Sequence, residues 1–366
     1  MNDDAAFMRE ALRLGRKGLG RTSPNPPVGA VVVANRRVVG RGYHRHAGAP
    51  HGEAEALRQA GARSRGATLY VTLEPCNHHG RTGPCTDAIL AAGVRRVVFG
   101  VRDPNRRVRG GGAARLRRRG IRVESGVEAE ACAELIAGFT SVARRRRPLV
   151  ALKLAATLDG RIATARGASR WITGESARRV AHRLRNEYDA IMVGAGTVIA
   201  DDPALTCRLP RGRDPLRVIV DGRLRVPLSA RVLTNAAATG TLLATTMRHH
   251  RKLHALRRRG VSIVTLPGRD GVFSLRRLLA QLAARGVSSV LIEGGSTLAA
   301  AALRERVVDR LFIFIAPKLI GADGTPMVGS LGVRAMRAAM GIRVQAVRRL
   351  GADLLVQGVP ESSRAL

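Results

Sequence analysis

His51-Gly52-Glu53, Pro75-Cys76 and Pro84-Cys85 are the residues of this 366-residue chain whose types and spacing can do chemistry. One imidazole and two thiolates suit zinc, and three protein ligands leave its fourth position open to water. Water held that way gives up a proton near neutral pH and becomes a nucleophile. A carboxylate beside the imidazole but outside the ligand set can take that proton and hand it to a leaving group. His51, Cys76 and Cys85 are therefore expected to be metal ligands, and Glu53 the catalytic proton shuttle. Pro84 precedes Cys85 and a helix-forming run follows, which puts that thiolate at a helix N-terminus, where the dipole favours negative charge. A closed structural site would need a fourth ligand, which His78 or His79 could supply. Two other cysteines, Cys132 in a helical stretch and Cys207 in a loop, read as unpaired small side chains.

His-x-Glu followed by Pro-Cys-x-x-Cys is the signature of zinc nucleobase deaminases. Here the cysteines are further apart, with the segment NHHGRTGP between them.

These groups must be held by an alternating framework. Ala5 to Lys17 carries apolar residues at helical spacing. Val28 to Val33 and Arg37 to Gly42 read as a hairpin turning on Asn35-Arg36. Helices are expected over Glu53 to Ala62, Thr86 to Ala92, Ala113 to Arg119 and Ala129 to Ala143. Strands are expected over Thr68 to Leu73, Arg96 to Val101 and Ile121 to Glu124. Such alternation argues for a layered α/β domain. The run Arg144 to Arg147 closed by Pro148 marks the boundary, giving domains 1–147 and 148–366.

The second half alternates again. Strands are expected at Leu149 to Leu154, Ala190 to Val193, Leu216 to Val220, Thr241 to Ala244, Ser262 to Leu266, Ser289 to Ile292 and Arg310 to Ile315. Helices are expected at Glu175 to Glu187, His249 to Arg259, Leu275 to Arg285 and Ser296 to Glu305. No repeat joins the halves, so two different folds are expected. Gly194-Ala195-Gly196 lacks the third glycine of a dinucleotide fingerprint and is a weak signal. A strand that runs through Glu293-Gly294-Gly295-Ser296 into a helix is a better phosphate cradle, because backbone N–H groups converge there unobstructed. An ordinary strand-to-helix turn would look the same.

The net charge of +36 invites a nucleic-acid hypothesis. Two features weaken it. Only four of the 63 basic residues are lysines, and the arginine excess runs along the whole chain, as compositional bias would leave it. Aromatic residues are 3%, too few to offer stacking platforms for bases. No apolar run approaches the ~18 residues of a membrane span. The acidic start MNDDAAFMRE is unlike a signal peptide. A small-molecule enzyme of the cytoplasm is expected, without nucleic-acid or membrane partners, and as a homo-oligomer.

The string TLEPCNHHGRTGPC (residues 72–85), with Asn25-Pro-Pro-Val-Gly upstream, resembles the deaminase half of the bifunctional deaminase/reductases of riboflavin biosynthesis. The insertion between the cysteines separates that family from cytidine and tRNA adenosine deaminases. The segments 153–161, 169–173, 197–208, 293–298 and 316–321 resemble its reductase half. The resemblance implies a cytidine-deaminase-like three-layer α/β domain followed by a dihydrofolate-reductase-like one, with zinc and NADPH as cofactors. It implies that Asn25, His44, His78 and Arg81 line the pyrimidine and phosphate pocket. In the reductase half it implies that Ala155, Trp171, Thr197, Asp201, Gly294, Gly295, Ser296, Thr297, Leu298 and Ala299 contact NADPH. Lys153, Ser169, Arg185, Leu205, Arg208 and Glu293 would hold the substrate. Arg185 and Arg208 suit a ribose 5-phosphate, since guanidinium matches phosphate bidentately. Lys153 would orient the sugar or assist proton transfer, unless it is an ordinary surface lysine.

The implied reactions are deamination of 2,5-diamino-6-ribosylamino-4(3H)-pyrimidinone 5′-phosphate and then reduction of the ribosyl chain to ribityl. The family usually has Ala where this chain has Gly52, an exchange expected to cost the helix ~0.5–1 kcal/mol. One rival is a nucleic-acid base deaminase with an accessory domain. Another is a non-catalytic zinc scaffold.

Overall fold

In the computed structural model Asn35 and Arg36 both adopt positive φ, 49° and 61°. A two-residue hairpin turn of this hand requires that, because its twist then matches the strands it joins. The strands are β1 (Gly29–Ala34) and β2 (Arg37–Tyr43), paired antiparallel. The structure describes residues 3–78, 83–105, 111–234, 236, 240–248 and 251–361. The chain forms two compact units that divide between Arg146 and Arg147.

In the first unit β3 (Thr68–Leu73), β4 (Arg96–Val101) and β5 (Arg122–Ser125) complete a five-stranded sheet of order β2-β1-β3-β4-β5. β1 pairs antiparallel with β3, whereas β3-β4 and β4-β5 are parallel. Helices α1 (Asp3–Gly15), α2 (Gly52–Ala60), α3 (Cys85–Ala91), α4 (Gly111–Arg118), α5 (Ala129–Leu135) and α6 (Ala137–Arg145) accompany it. The core consists of strand side chains such as Val31 and Val32 with Met8, Leu69, Ile89 and Phe99, all fully buried. The single helix expected over Ala129 to Ala143 is instead two. Ile136 leaves helical geometry (φ −99°, ψ 14°), and the kink seats both Leu135 and Ile136 in the core.

Glycines set how close α2 comes to the hairpin. A Cβ on Gly42 would lie 2.2 Å from the carbonyl oxygen of Gly52, and one on Gly52 would lie 2.9 Å from that of Val28. The absent side chains let the start of α2 lie against backbone, and that start carries His51 and Glu53. Gly52 therefore does more than lower helix propensity. Gly52→Ala should lower stability by about 1 kcal/mol despite the better helix former, since the new methyl has only backbone to push against. A thermal melt reads this, and an unchanged or raised midpoint would show that the contact relaxes freely.

The second unit is built on a nine-stranded sheet. Its strands in chain order are β6 (Leu149–Thr157), β8 (Ala190–Gly194), β9 (Leu216–Val220), β10 (Thr241–Thr245), β11 (Val261–Thr265), β14 (Ser289–Glu293), β15 (Arg310–Ala316), β17 (Ile342–Leu350) and β18 (Asp353–Pro360). Short pairs are formed by β7 (Arg161–Ala163) with β16 (Thr325–Pro326), and by β12 (Gly268–Arg269) with β13 (Val272–Phe273). The order is β11-β10-β9-β8-β14-β6-β15-β18-β17, parallel as far as β15 and antiparallel beyond it. Helices include α7 (Glu175–Glu187) and α8 (Ala195–Asp201), with later ones at Arg251–Arg258, Leu275–Ala284 and Ser296–Arg304. Sequence periodicity left out α8 and the hairpin β17-β18. The start expected at His249 lies outside the described residues. Both units are mixed α/β, as the alternating pattern requires.

Candidate functional site

β3 ends at Leu73 and β4 at Val101, and a cavity of about 330 Å³ lies where those parallel strands end. Asn25, His44, His51, Glu53, Cys76 and His78 line it. His51 is the residue before α2, in extended conformation, and Glu53 lies in that helix's first turn. Cys85 is the first residue of α3, behind Pro84, as the proline spacing indicates. His51 Nδ1 is 3.2 Å from Cys85 Sγ and 3.6 Å from Cys76 Sγ, and the Cys85 amide donates to Cys76 Sγ at 3.3 Å. The three ligand atoms lie within 4.8 Å of one another, and His78 is not among them. His79 and Arg81 lie outside the described residues.

This donor set fits zinc. One nitrogen and two sulfurs converge, and three ligands keep a position open. Hydrogen bonding to Cys85 and to His51 holds the Cys76 thiol well below its ordinary range, the state a metal ligand needs. Glu53 is buried and its Oε2 has no hydrogen-bond partner among the described residues. Burial pushes its carboxyl up, so it accepts a proton readily. An unpartnered buried carboxylate oxygen beside a three-ligand cluster fits a group that exchanges protons with something bound there.

Asn25 and His44 support each other. Asn25 Nδ2 donates to His44 Nε2 at 3.2 Å, and His44 Nδ1 lies 3.1 Å from the Pro50 carbonyl, which can only accept. That fixes the neutral tautomer with its proton on Nδ1. Burial lowers the His44 pKa and keeps it neutral. Sequence reasoning passed over Glu74, Asp103, Asn105 and Phe139, which also line the cavity. Glu74 is buried and accepts the amides of Asp103 (3.3 Å) and Ala113 (3.2 Å), which ties the segment after β3 to the loop after β4 and to α4. Its place in the Leu-Glu-Pro-Cys string was the available signal.

In the second unit the strand register sets the chemistry. Glu293 at the end of β14 pairs with Lys153 on β6, so two neighbouring parallel strands offer opposite charges side by side. Arg185 on α7 closes a bidentate pair with Glu293, both contacts at 2.8 Å, and donates to the Thr206 carbonyl at 3.0 Å. Lys153 Nζ is 4.0 Å from Glu293 and 5.5 Å from the Phe314 ring centre. It is largely buried, which removes the surface-lysine alternative. Burial lowers its pKa, and the Glu293 charge opposes that. Burial alone would raise the Glu293 carboxyl, but the charge and hydrogen bonds of Arg185 outweigh it and hold the pKa at about 2.

A cavity of about 360 Å³ opens beside this cluster, lined in part by Lys153, Ala155, Ser169, Trp171, Arg185 and Asp201. Leu205 and Arg208 line it too, and so do Arg178 and His182, which the sequence did not single out. Ser169 Oγ donates to Asp201 at 2.9 Å, and Arg178 stacks 4.5 Å from the Trp171 ring centre. Thr197, on α8, lies instead against Gly294 and Gly295 at the turn between β14 and helix Ser296–Arg304, whose Leu298 and Ala299 are buried in the core. Gly294 and Gly295 have φ of 63° and 75°, and a Cβ on Gly295 would lie 3.0 Å from Thr197 Oγ1. This opening at a helix start, which a side chain would fill, fits a cofactor phosphate.

Known proteins agree with both halves. Residues 1–101 match the family model for the cytidine and deoxycytidylate deaminase zinc-binding region, and residues 148–356 match that for the RibD C-terminal domain. The riboflavin biosynthesis protein RibD of Aquifex aeolicus is 44% identical over 354 residues, covering 96% of this chain and 97% of that protein. Its counterpart in Escherichia coli is 40% identical over 364 residues, covering 96% and 98%. Among solved structures, Acinetobacter baumannii RibD superposes with a TM-score of 0.89 at 38% identity, covering 98% of this chain and 99% of that one. A Thermotoga maritima protein described as a diaminohydroxyphosphoribosylaminopyrimidine deaminase/5-amino-6-(5-phosphoribosylamino)uracil reductase gives 0.88 at 39% identity, with the same coverage. With both halves matched in order over nearly its whole length, this chain belongs to the RibD family, the zinc- and NADPH-dependent deaminase/reductases of riboflavin biosynthesis.

Proposed function

We propose that the two units act in turn on one phosphorylated aminopyrimidine. The deaminase replaces the 2-amino group of 2,5-diamino-6-ribosylamino-4(3H)-pyrimidinone 5′-phosphate by oxygen and releases ammonia. The reductase then converts the ribosyl chain of the product to ribityl at the expense of NADPH. The observation that carries this reading is the buried, unpartnered Glu53 Oε2 beside His51, Cys76 and Cys85. It is supported by the Thermotoga maritima relative, described by deaminase and reductase activities on those pyrimidines.

Zinc held by His51, Cys76 and Cys85 supplies the Lewis acidity that makes water reactive at neutral pH. Glu53 takes a proton from the attacking water and passes it to the ring nitrogen next to the attacked carbon. It then takes the proton of the newly added hydroxyl and gives it to the departing amine as the C–N bond breaks and the carbonyl forms. Asn25 and the neutral His44 orient the pyrimidine, and His78 with Arg81 meets its phosphate. In the reductase, Ala155, Trp171, Thr197, Asp201 and Gly294 to Ala299 would hold NADPH, which would supply the hydride. Lys153, Ser169, Arg185, Leu205, Arg208 and Glu293 hold the phosphosugar. Three of the five Arg185 N–H donors are already used within the protein. Arg208, which is exposed, is then the better phosphate clamp.

Arg208→Ala should raise the reductase KM about tenfold or more while zinc content and ammonia release stay at parent values, since a charge-assisted contact contributes ~1.5–3 kcal/mol. An unchanged KM would remove the clamp. The whole reading is tested by supplying the diaminopyrimidine phosphate and following ammonia and NADPH together. Ammonia release from a single-stranded oligonucleotide, with none from the free nucleotide, would favour the nucleic-acid deaminase instead.

We place the enzyme in the cytoplasm, where its four unpaired cysteines stay reduced. Among the described residues no helix is long and apolar enough to cross a membrane. A homo-oligomer would cover Val344 and Val347, exposed on edge strand β17, and sedimentation of the intact chain checks this.

A further inference from the structure

The loop from Leu205 to Arg208 carries two of the candidate substrate contacts and lies in no helix or strand. Its conformation is held from one face of α7. Arg185 Nη1 donates to the Thr206 carbonyl at 3.0 Å. One turn earlier His182 makes two contacts, its carbonyl accepting from Cys207 Sγ at 3.5 Å and its Nδ1 accepting from the Arg208 amide at 3.3 Å. Residues three apart on a helix share a face, so His182 and Arg185 act on the loop together. His182 also lines the cavity, with Lys153, Arg185 and Arg208.

We infer that His182 is a positioning residue of the reductase, whose Nδ1 holds the Arg208 amide and so fixes the place from which the Arg208 guanidinium reaches the substrate phosphate. An accepting Nδ1 requires the neutral ring with its proton on Nε2. The surroundings favour that form. Among the described residues the charged groups acting most strongly on His182 are Arg185, Arg208 and Lys153, which are opposed by Glu293. Burial, followed by the charges of Arg185 and Arg208, lowers its pKa to about 4, so the acceptor is present throughout the neutral range. This role rests on Arg208 meeting the phosphate.

The test compares His182→Leu, His182→Asn, Arg208→Ala and the double variant His182→Leu/Arg208→Ala in the intact zinc-loaded chain. Reductase kinetics are measured with pre-deaminated substrate and with the same compound lacking its phosphate. Asn places an oxygen acceptor near the position of Nδ1, whereas Leu keeps bulk without an acceptor. His182→Leu should raise KM for the phosphorylated substrate about threefold to tenfold and leave kcat within about twofold. His182→Asn should restore most of that loss. The dephosphorylated substrate should show no difference between parent and His182→Leu, and the double variant should be no worse than Arg208→Ala alone. Ammonia release by the same preparations serves as the internal control for intact protein.

Additive effects in the double variant would overturn the inference, as would equal losses with and without the phosphate or no recovery in His182→Asn. If Arg208→Ala raises KM and His182→Leu does not, the positioning role alone is wrong. If Arg208→Ala leaves KM unchanged, the clamp is wrong and the positioning role falls with it.

Discussion

Glu53→Gln should keep its zinc, fold like the parent and release ammonia at least a hundredfold more slowly, while the reductase still oxidises NADPH with pre-deaminated substrate. Positioned proton transfer contributes typically ~10²- to 10⁴-fold, and this residue is asked to move a proton more than once. The amide keeps the size of the carboxylate but cannot take up a proton at neutral pH. Glu53 is buried with one oxygen unpartnered, so the substitution breaks no hydrogen bond at that atom. Metal content, ammonia release and NADPH oxidation on one preparation separate the possibilities. Release of ammonia at the parent rate would end the assigned role. Loss of zinc and fold together would instead mark Glu53 as part of a structural framework, which is what a non-catalytic zinc scaffold requires.

Glu293→Ala should have the largest effect on stability, about 3–5 kcal/mol, because it leaves Lys153 and Arg185 charged and buried without their carboxylate. The Arg185–Glu293 pair is nearly closed to solvent, with side-chain exposures of 16% and 8%, so water cannot make up the loss. The reductase transition in a denaturation experiment should move to much lower denaturant while the deaminase transition holds. A shift below about 1 kcal/mol would show that the two cations find other partners.

The pH dependence has a definite sign. Folding takes the Glu293 pKa from an ordinary 4.5 down to about 2. Its contribution to stability is therefore full above about 4.5 and is lost as pH falls through about 2. In Glu293→Ala the sign belongs to Lys153, whose pKa burial lowers. A buried cation with a lowered pKa destabilises the fold while protonated, so the variant should recover stability as pH rises. Arg185 stays charged and limits that recovery.

Much of this was legible because short-range chemistry carries it. The ligand types at 51, 76 and 85 and the Pro84-Cys85 helix start are stated by residues close together in the chain. The positive-φ turn at Asn35-Arg36 and strands such as Thr68–Leu73 are equally local. The C-terminal hairpin was not legible. β17 is an exposed edge strand whose register shifts between Val344 and Ala346, and that shift breaks the alternation by which a strand is recognised. The kink at Ile136 was hidden too, because packing of Leu135 and Ile136 into the core decides it, with no proline to announce it.

By itself, then, the sequence determined the donor types of the candidate zinc site, the alternation of elements and, through its motifs, the family. Tertiary structure decided what the remaining charged residues do. Arg185 and Glu293 are 108 positions apart, and only the packing of α7 against the end of β14 joins them. The same fold turns Lys153 from one lysine among four into a buried cation, and brings His182 to the Arg208 amide. Gly52 is the plainest case. As a letter it reads as a weakened helix, and in space it is the missing methyl that lets α2, which carries Glu53, lie against the hairpin. Local chemistry is written in neighbouring residues, whereas burial and close approach depend on groups that only folding brings together.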